Sequence, residues 1–366
     1  MIPGGERILD ESVERRFLPY DDTWFPFDDP RAYSQSSTVR DIVQEVFQRH
    51  ANGLSFREYN AGPELDVQMK LEGFQIDVQV DWTTGFIFGG SQFNCGTWQD
   101  KMGESEKAEN KGVPGSPRDG AAVEITGLVY SALTWVARLI QDGLYTNRGV
   151  QADGKEISFE DWAARIRDNF ERCYYIPVNP DDDPEYEVDK NIIHRRGIYK
   201  DLYKSSTPFE DYQLRANFPI AMTVSPSLFT PERAQRCLGI ADKSLLGPLG
   251  MATLDPADLN YRPFYNNGED STDFTTAKGR NYHQGPEWVW LRGYFLRALV
   301  QFSTSNWSAA TAVSRRLEGC RHALRQSPWR GLTELTNRGG EECGDSVSCP
   351  IPVLRSQSTL CRSSAN

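Results

Sequence analysis

DGAAVEITGLVYSALTWVARLIQDG, residues 119–143, is the longest candidate for an apolar helix in the chain. Asp119 can cap the start of this helix, and Gly143 can end it. The apolar residues occupy most of the circumference of the helix, which predicts deep burial. The stretch therefore predicts a central core helix.

Further segments have the apolar spacing of amphipathic helices, each with a recognisable start. Two begin with a capping box, in which a Ser or Thr and an Asp three residues later satisfy free backbone N–H groups. Two begin with a proline at the first helical position, where its missing N–H costs nothing. The predicted starts are Thr38 with Asp41, Ser158 with Asp161, Thr230 with Pro231, and Pro286, and a further helix is predicted over 305–326.

The chain has one clear strand pattern and several long loops. Residues 74–88, FQIDVQVDWTTGFIF, alternate apolar and polar residues before a turn that contains glycine, which predicts a β-hairpin. Loops as long as those predicted here are usually functional in a compact domain. A mainly α fold with helix pairs closed into an (α/α)6 barrel, and with the loops at one end, accounts for this order by analogy with barrels that act on glycans. The predicted loops are 89–118, 178–217, 247–285 and 327–349.

Composition restricts the classes of function. The 366 residues have a net charge of −11 and no Lys/Arg-rich run, so nucleic acid and anionic membrane surfaces are not expected as partners. The N-terminus has no apolar signal region and no stretch approaches 18 apolar residues, which predicts neither secretion nor a membrane span. Seven scattered cysteines without CxxC spacing predict free thiols in the cytoplasm and no metal site. The acidic run 179–189 lacks the spacing of a calcium loop.

The loops combine carboxylates, amides and Trp or Tyr, which is the set of groups that a sugar pocket needs. Glycoside hydrolysis in its usual form uses two carboxyl groups, one protonated and one ionised. Asp100 and Glu334 each follow a Trp by a few residues, and a nearby Trp desolvates a carboxyl group and favours its protonated form. A loop carboxylate is more often a cap or an ion-pair partner, so chemistry alone leaves both roles open.

Five long motifs, in order and with matching spacing, resemble the C-terminal glucosidase region of the eukaryotic glycogen debranching enzymes. The resemblance runs from about residue 39 to about residue 349, and motifs of this length are far more specific than a short pattern. It implies an (α/α)6 barrel that removes the single glucose at an α-1,6 branch point of glycogen by an inverting mechanism, without a cofactor. The motifs are NCGTWQDKMGESEKAENKGVPGSPRDGAAVEI (94–125), YQLRANFPIAM (212–222), LLGPLGMATLDP (245–256), AKGRNYHQGPEWVW (277–290) and SPWRGLTELTN (327–337).

The same resemblance implies the catalytic pair. The aspartate of the CGTWxDKMG motif, which is the general acid, corresponds to Asp100. The general base is a glutamate late in the chain, for which Glu287 and Glu334 are candidates. Glu287 follows Pro286 at a predicted helix start, where the helix dipole favours a carboxylate without any chemistry. In related inverting glucosidases the base precedes the last helix, so we assign the base to Glu334 and sugar binding to Glu287.

Other residues of these motifs are candidates for contact with glucose. The tryptophans can stack on the sugar ring, and the polar side chains can bind its hydroxyl groups. Structural roles compete with these: Asp119 can cap the long helix, Arg118 can pair with Asp119, and Trp288 can be a core residue. The candidate substrate-binding residues are Trp98, Arg118, Asp119, Asn217, His283, Gln284, Glu287 and Trp288.

The chain also departs from the family. We expect residues 1–349 to form part of a glucosidase barrel that is incomplete at both ends, because twelve helices with long loops need more than 366 residues. Residues 350–366 have no helical spacing and predict a divergent, disordered tail. The transferase half of the debranching enzyme has no counterpart here and is a candidate partner. The alternative function is therefore an inactive fragment that still binds glycogen.

Overall fold

α-Helices are the main regular structure, with short antiparallel strand pairs between them. The computed structural model describes residues 5–16, 25–58, 63–304, 306–327 and 330–343. The predicted tail at 350–366 lies outside these residues. The helices in the described ranges are α1 (Val39–Asn52), α2 (Pro63–Phe74), α3 (Val123–Gln141), α4 (Phe159–Tyr174), α5 (Pro208–Asp211), α6 (Phe218–Val224), α7 (Pro231–Ser244), α8 (Leu291–Gln301), α9 (Asn306–Arg316) and α10 (Glu318–Gln326).

The strands form six small sheets within the described residues, so the prediction of a single hairpin was incomplete. The predicted hairpin is confirmed as β4 and β5, with Val80 opposite Ile87, and β3 extends it on the other side. The strands are β1 (Ser12–Arg15), β2 (Gln35–Thr38), β3 (Leu54–Arg57), β4 (Gln75–Asp81), β5 (Phe86–Gly89), β6 (Ala121–Ala122), β7 (Gly149–Ala152), β8 (Lys155–Ser158), β9 (Tyr175–Ile176), β10 (Ile198–Tyr199), β11 (Leu202–Tyr203), β12 (Met251–Ala252), β13 (Glu287–Trp288) and β14 (Leu335–Thr336).

Three predicted helix starts are confirmed by their caps. At α1 the Thr38 hydroxyl accepts from the Asp41 N–H, and the Asp41 carboxylate accepts from the Thr38 N–H, which is the predicted capping box. At α4 the Ser158 hydroxyl accepts from the N–H of Asp161. Helix α7 has Thr230 as its N-cap and a proline in its first turn. Short-range capping patterns therefore predicted these helix starts correctly.

The predicted start of the central helix at Asp119 is wrong. Helix α3 begins at Val123, because Ala121–Ala122 instead form β6 and pair with β11, about 80 residues further along the chain. The Asp119 carboxylate does not cap the helix and accepts from the N–H and the hydroxyl of Ser206, both at 3.0 Å. Asp119 therefore anchors the loop that follows β11.

The predicted helix start at Pro286 is also wrong. Glu287–Trp288 form β13, which pairs with β12 on one side and with β14 on the other, and α8 begins only at Leu291. Pairing on both sides fixes these two residues in an extended conformation and overrides the local helix pattern. Glu287 therefore does not lie in the first turn of a helix, and the helix dipole does not account for it.

The helix predicted over 305–326 is two helices, α9 and α10, separated at Leu317. The Arg292 side chain donates a hydrogen bond to the carbonyl oxygen of Arg316, at the end of α9. A side chain that donates a hydrogen bond to a backbone carbonyl group of a helix can interrupt the helix at that point. In addition, Gly319 lies against Pro248, where a Cβ atom would be 2.2 Å from the proline carbonyl oxygen.

Helix α3 lies at the centre of the packing, against α4 and α6. Leu133 and Val136 are fully buried on this side, whereas Leu128 is 48% and Trp135 is 41% exposed on the other side. The predicted deep burial therefore applies to one face only. By length and composition α3 could also cross a membrane, yet half of its apolar window is buried inside this fold.

The contact between α3 and α6 requires a glycine. A Cβ atom at Gly127 would lie 2.6 Å from the Cβ and 2.7 Å from the Cα of Ala221. We expect Gly127→Ala to destabilise the chain by about 1–3 kcal/mol, because the helices cannot move apart without loosening the core. Gly239→Ala is the matched control: Gly239 is inside α7 with no atom near the added methyl group, so helix propensity favours alanine there. Urea unfolding measures both, and equal stabilities of the two variants would contradict this packing.

Candidate active site

Asp100 lies in the loop between β5 and β6, and its neighbours are fixed on both sides. The side chain of Gln99 is fully buried and accepts a hydrogen bond from Arg215. The carbonyl oxygen of Lys101 accepts from the N–H of Gly115 at 2.8 Å. Asp100 itself is exposed. The chain therefore presents this carboxyl group to solvent from a restrained piece of backbone.

Glu334 directly precedes β14, and its half-buried carboxylate accepts a hydrogen bond from the Tyr282 hydroxyl at 3.1 Å. Its carbonyl oxygen accepts from the N–H of Val289 at 3.0 Å. Burial raises the pKa of Tyr282, and the charges of Glu334 and Asp100 raise it further. Electrostatic effects of this kind act over short distances. The structure thus bonds Tyr282 to Glu334, whereas Asp100 acts on this phenol through its charge alone.

A group of aromatic rings lies beside these carboxylates. Trp98 contacts Trp288 and Trp290 edge to face, with ring centroids 5.2 and 4.8 Å apart. His283 stacks on Trp288 at 4.9 Å, and Tyr282 contacts the same tryptophan at 4.8 Å. Trp288 is only 6% exposed, whereas Trp98 is half-buried. Trp98 is therefore the more accessible of the two predicted stacking residues.

Hydrogen bonds behind Trp98 fix the orientation of its ring. The indole N–H donates to Asn217 Oδ1 at 3.0 Å, and Asn217 Nδ2 donates to Asp201 Oδ1 at 2.8 Å. Asp201 also accepts from Arg118 Nε at 2.7 Å. Asn217 is fully buried, so its amide has no open side toward solvent. The structure places Asn217 behind the aromatic ring as a support for Trp98.

Arg118 is a structural cation. A guanidinium group has five N–H donors, and here two reach Asp201, two reach Glu124 and one reaches the hydroxyl of Thr97. Burial alone would lower the pKa of Arg118, but the charges of Asp201 and Glu124 outweigh burial and raise it. The predicted pair of Arg118 with Asp119 is wrong, because these partners occupy every donor. No N–H remains for a sugar hydroxyl.

Arg215 joins three loops beneath the site. Its buried guanidinium donates to the side-chain oxygens of Gln99, Gln213 and Gln284. It also donates to the carbonyl oxygen of His283 at 3.0 Å. Gln284 in turn donates from Nε2 to a backbone carbonyl at 2.6 Å, so both ends of its amide are occupied. Arg215 therefore ties the segment with Asp100 to the segment with His283.

His283 is buried, and neither of its ring nitrogens has a hydrogen-bond partner in the described part of the chain. Burial lowers its pKa well below the ordinary value, and the positive charges of Arg215 and Arg118 lower it further. The ring is therefore neutral. Buried polar atoms normally have a partner, so His283 is an exception among the described residues. Other buried polar atoms without a partner in the described part include Gln99 Nε2, Gln213 Nε2, Ser116 Oγ, Asn281 Oδ1 and Arg292 Nε.

Glu287 lies away from the other predicted residues. Successive residues of a strand point to opposite faces, and Trp288 packs on Trp98 and Tyr282. The Glu287 carboxylate accepts instead from the N–H of Gly339 at 2.8 Å and from the Thr336 hydroxyl at 3.3 Å. Burial raises its pKa. The structure does not bring Glu287 to the aromatic rings that border Glu334.

Sequence reasoning missed three residues of this site. Tyr282 and Arg215 lie inside the quoted motifs. Their position beside the predicted site residues was a signal that they belong to the same site. The sequence around Asp201 gave no signal of its role at the site, because its partner Arg118 is 83 residues away in the chain. Its position depends on the pairing of β11 with β6, which the sequence did not predict.

A carboxylate beside aromatic rings, with a second carboxyl group in a neighbouring loop, is the set of groups that a glycoside hydrolase uses. Comparison with known proteins agrees with this class. The family model for amylo-alpha-1,6-glucosidase matches residues 7–351. The glycogen debranching enzyme of Saccharomyces cerevisiae is 56% identical over 361 residues. The chain therefore belongs to the amylo-alpha-1,6-glucosidase family.

The matches cover different shares of this chain and of the proteins that it resembles. The match to the yeast relative covers 94% of this chain but 23% of that protein, so the chain spans about a quarter of its length. A GH63 mannosylglycerate hydrolase from Thermus thermophilus is similar with a TM-score of 0.42 and 12% identity, over 92% of this chain and 83% of that one. A neutral trehalase from S. cerevisiae gives a TM-score of 0.29 and 12% identity, over 60% and 44%.

Proposed function

We propose that this chain hydrolyses the single α-1,6-linked glucose at glycogen branch points, as the glucosidase part of glycogen debranching. The observation that carries the proposal is the hydrogen bond from Tyr282 to Glu334 beside the aromatic rings, because Trp98, two residues before Asp100, joins the same rings through Trp288. Family membership supports the choice of an α-glucan as substrate. The net charge of −11 suits a neutral polysaccharide.

The reaction we propose is an inverting hydrolysis. Asp100 donates a proton to the glycosidic oxygen while the bond from C1 to that oxygen breaks. Glu334 accepts a proton from a water molecule that attacks C1 from the opposite face, so that the product is β-glucose. This mechanism needs carboxyl groups about 6.5–9.5 Å apart, with room for the water between Glu334 and the sugar.

The remaining residues would bind and orient. Trp98 offers an indole face to the apolar side of glucose, and its hydrogen bond to Asn217 fixes the plane of that face. His283 stacks on Trp288 and supports the aromatic rings from the buried side. Tyr282 remains protonated and donates to Glu334, which orients the carboxylate toward the water.

We also propose that the helices belong to an (α/α)6 barrel. The packing of α3 on α4 and α6, and of α6 on α8, supports side-by-side helix pairs of the kind that such a barrel repeats. The segments that bear Asp100, Tyr282 and Glu334 all connect these elements, as expected for loops gathered at one end of a barrel.

Tyr282→Phe tests the role of this phenol. It removes the hydrogen bond to Glu334 and keeps the ring against Trp288. A hydrogen bond to a charged group contributes about 1.5–3 kcal/mol, so we expect kcat to fall about 10- to 100-fold, with a smaller change in KM. Tyr294→Phe is the control, because that ring contacts Trp290 at 5.8 Å on the other side of the aromatic group. Equal kcat values for both variants would remove Tyr282 from the mechanism.

A further inference from the structure

A cleft of about 740 Å³ lies between the end of α1, the sheet of β3, β4 and β5, and the backbone at Gly120. Its volume is within the range of about 300–1,000 Å³ that is usual for small-molecule sites. None of the roles proposed for Asp100 and Glu334 uses it. The side chains that give it chemical character are Asp77, Trp82, Phe88, Asp119, Asp153 and Lys204.

The floor of the cleft is continuous with the loop that bears Asp100. Gly89 and Gly120 exchange two backbone hydrogen bonds of 3.1 and 3.2 Å, which close the floor. Gly90 has a positive φ of 75°, and a Cβ atom there would lie 3.4 Å from the Cα of Gly96. Gly96 is four residues before Asp100. The cleft therefore adjoins the loop that bears Asp100.

The charges of the cleft disfavour an anionic ligand. Three carboxylates and one ammonium group line it, which gives a negative balance. Asp77 and Asp153 are exposed and have no ion-pair partner among the described residues. Phosphate groups and nucleic acid would be repelled here. Free carboxylates are, however, good acceptors for sugar hydroxyls.

The cleft also offers aromatic surface. Trp82 and Phe88 are both half-buried, so each keeps part of its ring accessible. Trp82 is held from behind by an edge contact with the buried Trp162, with centroids 5.0 Å apart. Phe88 contacts Tyr203 at 6.2 Å. Supported rings next to hydrogen-bond acceptors suit a ligand with apolar faces and many hydroxyl groups.

We propose that this cleft is a second binding site, which holds a neutral α-glucan chain beside the catalytic loop. The identity of the ligand rests on the proposed function, whereas the location of the site does not. Two linked contacts with one polymer raise the apparent affinity without changing the chemistry. The cleft therefore increases the affinity for glycogen and leaves the hydrolysis of a short branched oligosaccharide unchanged.

Ser55→Trp tests the proposal by filling the cleft. Ser55 lines the cleft on β3 and is exposed, and its hydroxyl accepts a hydrogen bond from the side chain of Gln75 at 3.0 Å. We expect KM for phosphorylase limit dextrin to rise about tenfold, while kcat and the KM for a singly glucosylated maltotetraose stay within twofold. Asp77→Ala, which removes one exposed acceptor, should raise the same KM less. Ser36→Trp is the matched control, because Ser36 is exposed on β2, outside the cleft.

Binding is measured directly by calorimetry with linear maltoheptaose, using the full chain with and without Ser55→Trp. Loss of binding in Ser55→Trp but not in Ser36→Trp supports the site. Unchanged binding and unchanged KM in a folded Ser55→Trp chain overturn it, and the proposed hydrolysis then stands if both substrates are still cleaved. Binding in the cleft by a chain that releases no glucose would instead contradict the proposed function and leave the site intact.

Discussion

Asp100→Asn lowers kcat for glucose release from a branched dextrin by about 10²- to 10⁴-fold and leaves dextrin binding nearly unchanged. This range is the usual contribution of general acid catalysis. Asparagine has almost the same shape as aspartate but has no proton to give to the leaving oxygen. Because Asp100 is exposed, the substitution is expected to leave the folding stability unchanged. Initial rates of glucose release and calorimetric binding measure the two effects.

A substrate that needs no acid separates the two proposed carboxylate roles. Fluoride leaves α-glucosyl fluoride without protonation, so Asp100→Asn should retain most of its activity on this compound. Glu334→Gln should lose activity on both substrates, because each reaction still needs an activated water. If Asp100→Asn cleaves the dextrin within about tenfold of the unmodified chain, or if Glu334→Gln cleaves the fluoride normally, the assignment of acid and base is wrong.

Arg118→Met gives the largest expected loss of stability. The substitution leaves the Glu124 carboxylate buried without a cation and leaves Asp201 with only Arg215, at 3.7 Å, and these side chains are almost fully inaccessible. Removing one partner of a buried ion pair costs about 3–5 kcal/mol, because an uncompensated charge remains in the interior. Trp98 should also become less ordered, since its hydrogen-bonded support through Asn217 ends at Asp201.

The matched control is an exposed ion pair. Arg167 contacts Asp168 at 3.1 Å, and the two side chains are 54% and 66% exposed. Arg167→Met should therefore cost less than about 1 kcal/mol. Urea unfolding of both variants provides the comparison, and near-ultraviolet circular dichroism reports the environment of the tryptophans. If Arg118→Met is no less stable than Arg167→Met, the buried group does not hold the site together.

Local patterns predicted the helices better than the strands. The capping box of Thr38 with Asp41 involves residues three apart, so the sequence contains all of it. The strands β6 and β13 have only two residues each and exist because distant segments pair with them. The sequence shows an N-cap at Asp119 and a helix start at Pro286, but these local preferences were weaker than the backbone pairing around them.

The candidate site was predicted to a similar extent. The structure connects Glu334, Trp98, Trp288 and His283 through Tyr282 and their ring contacts, while the catalytic and binding roles of these residues and of Asp100 stay predictions. The residues that support the site from behind, Arg118, Asp201 and Arg215, were not predicted in that role.

The prediction that Arg118 binds sugar did not include its carboxylate partners Asp201 and Glu124, which are 83 and 6 residues away in the sequence. Glu287 and Trp288 are consecutive residues of β13, so their side chains point to opposite faces of the strand. The sequence did not indicate this strand.

The anomeric form of the released glucose tests the central claim most directly. The full chain is incubated with a singly glucosylated branched dextrin, and the anomeric protons are followed by NMR before mutarotation mixes them. If Asp100 and Glu334 act as an inverting pair, β-glucose appears first, and Asp100→Asn releases none on the same time scale. Initial release of α-glucose, or no release by a folded chain that binds the dextrin, would contradict the account.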